Sequence, residues 1–289
     1  MSLAAIVRAL GGDLYAGGRR ANVPAPGHSP ADRSVSLLLD GDRVIVHAFA
    51  GDDWRDVLRE LRRLGLVDAD GRLGRGAAPG APEPPGRSQR RAVAAALWED
   101  ARPVPGTLAE RHARRRRIGR ALPEALRFHP AAPVRAYGPG GGPTCPALLA
   151  AVREPGGALC AVEVTYLSPA GNRARLRLPR KTIGLLPQGC AVRLDPAGRV
   201  MVVAEGVFSA LSAGERFGLP AWALLSAGRL VAWRPPPEAR RILVAGDRDR
   251  VGEDAASTLA ARLRAAGVEA VVRLPPAPFR DWNEAADPP

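Results

Sequence analysis

The sequence predicts an α/β protein: a parallel sheet flanked by helices at the C-terminus, preceded by an α+β segment and a small β-hairpin domain. Three observations carry this. Apolar runs at Val200–Ala204, Ala221–Leu225, Arg241–Ala245 and Val268–Leu274 alternate with helix-periodic stretches, the pattern of parallel strands joined by helical crossovers. Two short strand-like runs flank Asp40-Gly41-Asp42 and read as a hairpin. A cluster rich in Pro and Gly, from Ala77 to Gly86, separates that hairpin from everything downstream.

Taken in order, residues 1–68 open with a short helix and a loop, then the hairpin of Ser34–Leu39 and Arg43–His47. A helix follows from Trp54 to Leu64, with Val57, Leu58, Leu61 and Leu64 at helical spacing and Gly65 as its stop. Residues 69–90 form the linker. The segment 91–195 begins with a helix around Ala92–Trp98. Thr107 can cap a second helix, with Glu110 placed as in a capping box. Stretches Ala147–Val152 and Leu159–Leu167 look like antiparallel strands. Gly138–Pro143 reads as a flexible loop and lacks the spacing of a phosphate-cradling P-loop. Segment 196–289 holds the four parallel strands, with helices through Phe208–Phe217 and Gly252–Ala266.

The chain has 289 residues, with 42 Lys and Arg against 29 Asp and Glu, a formal charge of +13 that favours polyanionic partners. Lys181 is the only lysine. This arginine skew, with abundant Ala, Gly and Pro, matches a GC-rich coding sequence, so the charge alone is a weak pointer. With 5 Phe, 5 Trp and 3 Tyr, a stack of aromatic base platforms is not expected. Cys145, Cys160 and Cys190 are far apart in sequence, match no metal-ligand spacing and suit a reducing cytoplasm. The chain has no apolar run of the length that spans a bilayer, so a cytoplasmic protein with no membrane partner is expected.

In open α/β sheets ligands bind beyond the carboxyl ends of the strands, and here those ends carry Glu205, Asp247 and Asp249. Residues two apart on extended chain point the same way, so Asp247 and Asp249 can converge and Glu205 can complete a carboxylate cluster. Like charges so placed need a cation or raised pKa values. An all-oxygen set without Cys or His suits Mg²⁺ or Mn²⁺, which can orient phosphates at a site of phosphoryl transfer.

Val203-Ala204-Glu205-Gly206, followed by Val244-Ala245-Gly246-Asp247-Arg248-Asp249-Arg250-Val251-Gly252, resembles the Toprim domain shared by DnaG-type primases, topoisomerases and some nucleases. With Leu219–Ala223, Leu225–Gly228 and Arg280-Asp281-Trp282-Asn283-Glu284, the segment is similar to Toprim primases of phages, plasmids and mobile elements. The resemblance implies Mg²⁺ at Glu205, Asp247 and Asp249, with Gly206, Gly252, Asp281 and Asn283 near the site. Arg248, between two acids, departs from the family's usual uncharged polar residue.

Gly106–Arg111, Leu122-Pro123, Leu126–Pro130, Thr165–Leu167 and Arg180-Lys181 resemble the part of the primase core that precedes Toprim. Arg180 and Lys181, with Arg175 and Arg177 nearby, are the implied phosphate contacts for template and nucleotide. The N-terminal hairpin is similar to the primase zinc ribbon, but Ala25, Ala48 and Asp52 stand where cysteines would be and only His28 remains, so no zinc is expected.

The function so implied is a DNA primase-like nucleotidyltransferase. It would make RNA primers on single-stranded DNA from nucleoside triphosphates with Mg²⁺, beside a separate replicative helicase. A Toprim nuclease and a non-catalytic DNA-binding accessory of a mobile element are the alternatives. A topoisomerase is disfavoured, because Tyr15, Tyr137 and Tyr166 are the only tyrosines.

Overall fold

The computed structural model describes residues 2–29, 32–49, 53–73, 86–137 and 142–286. The core of the linker cluster, the glycines of the 138–141 loop and Asp52 lie outside the described residues. The chain divides into two units, Met1–Pro85 and Gly86–Pro289. Among the described residues no helix is long and apolar enough to cross a membrane.

The first unit is a four-stranded antiparallel sheet in the order β1 (Asp13–Tyr15), β2 (Arg20–Val23), β3 (Val35–Asp40), β4 (Arg43–Ala48). The β3–β4 hairpin turns at Asp40↔Arg43, as the sequence predicts. The expected Pro/Gly-rich loop before it contains two further short strands, β1 and β2, hidden from a period-two reading by their length. Helices α1 (Leu3–Leu10) and α2 (Trp54–Arg63) complete the unit. Leu3, Ile6, Val23, Val35, Leu37, Val44, Val57 and Leu61 form its core.

Where the ribbon resemblance would put a metal, a carboxylate does the joining. Asp32 accepts hydrogen bonds from Ala25 N–H (3.1 Å), Ser34 N–H (3.2 Å) and the Ser34 hydroxyl (2.5 Å), and its Oδ2 lies 3.2 Å from His28 Nδ1. The Ser34 hydroxyl and then the Ala25 amide hold this carboxyl down at about 2. Ala25 is buried and Ala48 half-buried, so neither position offers a ligand.

The second unit is built on one nine-stranded mixed sheet, ordered β13-β12-β10-β11-β9-β6-β7-β8, with β5 paired to β6. Its parallel part comprises β10 (Val200–Ala204), β11 (Ala221–Ala223), β12 (Arg241–Ala245) and β13 (Glu269–Arg273). Its antiparallel part comprises β5 (Leu126–Pro133), β6 (Thr144–Arg153), β7 (Leu159–Tyr166), β8 (Arg180–Gly184) and β9 (Ala191–Arg193). The expected separate sheets are thus continuous, because β9 pairs antiparallel with β11 and also with β6. Strands β8 and β9 are too short and too interrupted by Gly and Pro to announce themselves in the sequence.

Helix α3 (Arg87–Glu99) starts inside the span that composition marks as linker, since Arg87–Arg91 are good helix formers once past Pro85-Gly86. It packs Ala94, Leu97 and Trp98 on the face of β7 that carries Val162, Val164 and Tyr166. Helix α4 (Leu108–Arg115) is capped by Thr107, whose hydroxyl accepts from Ala109 N–H, and Glu110 accepts from Gly106 N–H rather than from the cap residue.

Helix α5 (Val207–Phe217) covers one face of the parallel strands. Helices α6 (Ala227–Ala232) and α7 (Arg250–Ala265) cover the other. Along β10, Val202 and Ala204 point to α5 while Met201 and Val203 point to α6 and α7, the alternation that buries both faces.

The scattered cysteines are less scattered in space. Cys160 and Cys190 are both buried in one core cluster, where the Cys160 thiol donates to the Val152 carbonyl at 3.3 Å and Arg229 donates to the Cys190 sulfur at 3.2 Å.

Asp32 yields a direct test. Its folded pKa lies below its unfolded value, so its stabilisation is present above about pH 4 and is lost as the pH falls towards 2. Thermal melts should show Asp32→Ala below wild type at pH 7, with the gap closing between pH 4 and pH 2.

Candidate active site at the sheet switch point

The chain leaves β10 through α5 to β11 on one side, then crosses back by α6 to β12 on the other. The crevice between the carboxyl ends of β10 and β12 is therefore the switch point of the parallel sheet, where backbone diverges and side chains can meet a ligand. Ala204 and Ala245 are level in the register, so Glu205 follows one strand where Gly246-Asp247 follows the other.

These carboxylates act on one another. Asp247 is pushed up to about 7, first by burial and then by repulsion from Glu205, Asp281 and Asp249. Glu205 is raised by burial and by Asp249. Asp247 Oδ1 is buried and has no hydrogen-bond partner, an unmet acceptor in an acidic crevice. Asp249 caps α7, its Oδ1 accepting from Gly252 N–H at 2.8 Å, so only one of its oxygens is used. A Cβ at Gly252 would stand 2.8 Å from the Asp247 carbonyl oxygen, so that turn admits only glycine.

Asp281 Oδ1 accepts from Asn283 N–H (2.8 Å) and Glu284 N–H (2.7 Å). Asn283, expected beside the site, is a buried tie: its amide donates to the Arg116 carbonyl (2.5 Å) and the Ser212 hydroxyl (2.9 Å). Gly206 caps α5, and a Cβ there would meet nothing closer than Ser209 Oγ at 3.6 Å, so backbone space does not demand glycine. Arg248 does not sit between the acids as a cation: its guanidinium donates to the Pro275 carbonyl at 2.6 and 3.0 Å.

Cations face the crevice from the antiparallel part. Arg180 pairs in register with Thr165 and shares the face of β7 that carries buried Glu163. It lowers the pKa of Glu205, Asp247 and Glu163 alike. Lys181, the next residue, necessarily points the other way; its ammonium donates to the Val134 carbonyl (2.6 Å) and lies 5.2 Å from the Tyr166 ring. The structure therefore parts the two phosphate candidates. Arg175 and Arg177 are exposed in the loop before β8.

Arg116 and Arg173 are the cations that sequence reasoning did not single out. Arg116 follows buried Ala109, His112 and Ala113 of α4 at helical spacing and so faces inward, its guanidinium 5.1 Å from the Phe208 ring. Burial and the neighbouring Arg173 depress the Arg116 pKa, and its Nε is buried without a partner. Within the run Arg114–Arg117 it is the phase of α4, set by buried Ala109, His112 and Ala113, that turns Arg116 inward.

Among the described residues no three His, Cys, Asp or Glu side chains are already drawn together as a metal cage. The donor chemistry nevertheless fits a hard divalent ion: all oxygen, mutually repelling, and with one buried oxygen unsatisfied.

Residues 200–287 match the sequence model of the Toprim domain, and residues 88–194 match that of a domain of unknown function, DUF7146. The C-terminal part of this chain is a Toprim domain. Among solved structures, the chain is similar to the primase fragment of the bacteriophage T7 primase-helicase protein: 16% identity, TM-score 0.41, over 87% of this chain and 88% of that one. It is also similar to the zinc-binding and RNA polymerase domains of the Aquifex aeolicus primase: 13% identity, TM-score 0.46, over 98% and 78%. A DnaG primase catalytic domain bound to single-stranded DNA aligns with 13% identity and TM-score 0.45, over 68% and 74%. No curated protein sequence matches.

Because Asp247 has a raised folded pKa, ionising it costs stability as the pH climbs from about 4 to 7 in metal-free protein. Asp247→Asn should raise the Tm at pH 8 by the equivalent of about 1–2 kcal/mol, discounted for its partial exposure, and leave it unchanged at pH 4. Melts in a chelator at the two pH values check this.

Proposed function

We propose that the protein is a DNA primase-like nucleotidyltransferase that joins ribonucleotides on a single-stranded DNA template. The observation that carries this reading is the carboxylate set of a Toprim switch point, in which half-buried Glu205 and Asp247 are both raised, faced by arginines from the neighbouring strands.

In the reaction a primer 3′-hydroxyl oxygen attacks the α-phosphorus of a nucleoside triphosphate. The new P–O bond forms as the bond to pyrophosphate breaks, and the hydroxyl proton is lost. Glu205, Asp247 and Asp249 would hold Mg²⁺ or Mn²⁺, which when bound supplies charge neutralisation and orientation of the triphosphate. Arg180 and Arg116 are placed to take phosphate oxygens, as guanidiniums do in paired, charge-assisted hydrogen bonds. Asp247 is pushed up to about 7, and a cation in the crevice would favour its ionised form. Glu163 is buried on the face that Arg180 shares; burial raises its pKa and Arg180 and Arg173 oppose that rise.

The reading extends to a replicative helicase as a working partner. It also extends to work without zinc, the Asp32 cluster closing the N-terminal loop instead.

The test is primer synthesis by purified protein on single-stranded DNA with labelled ribonucleotides and Mg²⁺ or Mn²⁺. Asp247→Ala and Glu205→Ala should each lower synthesis by about 10²–10³-fold. Arg180→Ala should lower it about 10–100-fold, with Lys181→Ala close to wild type. Metal-dependent strand cleavage in place of synthesis would replace this reading with the nuclease.

A further inference from the structure

Beside the acidic crevice lies a second, open cleft of about 370 Å³, lined by Arg115, Arg116, Arg117, Phe279, Asn283 and Glu284. Phe279 is 37% exposed on a turn closed by its own N–H donating to the Pro276 carbonyl. The other aromatic rings nearby are engaged: Phe208 with His112 and Arg116, Trp282 with Phe217. Among the described residues Phe279 has no ring or cation partner. Phe279 thus presents part of its ring to solvent in a cleft that three arginines also line.

The cations here differ in their freedom. Arg114 is drawn to Glu110 and to the Gly119 carbonyl, and Arg117 donates to the Ala286 carbonyl at 3.0 Å. Arg115 is exposed and makes no ion pair among the described residues, and the Nε of Arg116 is buried without a partner. The cleft thus offers one flat apolar face and one unengaged positive charge, the two groups that meet a base and its phosphate. Its floor continues into the crevice: Asp281, two residues from Phe279, helps raise the Asp247 pKa.

We propose that this cleft is a nucleotide subsite for single-stranded nucleic acid, with a base stacked on Phe279 and the adjoining phosphate neutralised by Arg115. A free triphosphate offers the same chemistry, but Glu284 lines the cleft and Asp281 lies below it, and these repel several concentrated negative charges more than the single charge of a strand phosphate. The assignment rests on the nucleic-acid reading above and names where that strand runs.

The experiment is metal-free binding, in a chelator, of a labelled single-stranded oligonucleotide and of an abasic oligonucleotide with the same sugar-phosphate chain, over a salt series. Phe279→Ala should weaken the normal strand about tenfold, leave the abasic strand unchanged, and keep the salt slope. Phe279→Trp should restore the wild-type affinity. Arg115→Ala should weaken both strands and lower the salt slope by about one. Wild-type affinity of Phe279→Ala for the normal strand, or equal weakening on the abasic one, overturns the subsite. So does a loss confined to binding of free ATP. The Asp247→Ala protein separates the two levels of the account, losing synthesis while binding the strand with the same Phe279 dependence. A wild-type protein that binds no strand overturns both.

Discussion

Repulsion among half-buried carboxylates is the constraint around which the second unit is arranged. Glu205 and Asp247 emerge from adjacent parallel strands whose register is fixed by an unbroken ladder, so neither can retreat without breaking strand pairing. Asp249 is held nearby by its duty as a helix cap, and Asp281 by two backbone amides that it accepts from. Each therefore has a local structural reason to stay where its charge is unwelcome. Strain maintained in this way, with one buried oxygen left unsatisfied, is a hallmark of a site that waits for a cation.

The antiparallel part answers that acidity. Because β9 joins β11 to β6, strands β6 to β8 continue the parallel sheet rather than forming a separate body, and Arg180 reaches the crevice from them. The parity of β8 decides which of its two cations takes part: Arg180 on the crevice side, Lys181 against Val134 and Tyr166 on the other. An interaction between a mixed sheet's two halves thus pairs negative and positive charge in one groove. This local polarity says more about substrate than the net charge of +13 does.

Much of this was legible in the sequence, for physical reasons that differ between elements. The strands β10 and β12 are largely buried on both faces and so read as continuous apolar runs, and the acids that follow them are found directly. The cap at Thr107 and the turn at Asp40–Arg43 were equally local. Strands β1, β2, β8 and β9 were not, because each mixes polar with apolar residues over a few positions and lacks the continuous apolar run of β10 or β12. The orientation of Lys181 and Arg116 was hidden for another reason. It depends on which face of a non-local strand pair is which, and on what packs against the Ala109–His112–Ala113 face of α4. Arg248 looked disruptive in sequence and proves to be a backbone tie to Pro275, since a long side chain can leave the line of its neighbours.

The central claim is that the switch-point carboxylates take up a divalent cation in exchange for a proton. Calorimetric titration of the metal-free protein with Mn²⁺ at pH 6.5, repeated in two buffers of different ionisation enthalpy, measures both quantities at once. The account predicts saturable binding that releases a substantial fraction of one proton per ion, falling towards zero above pH 8 and abolished in Asp247→Asn. Binding with no proton release at pH 6.5, or no binding at all, would contradict it.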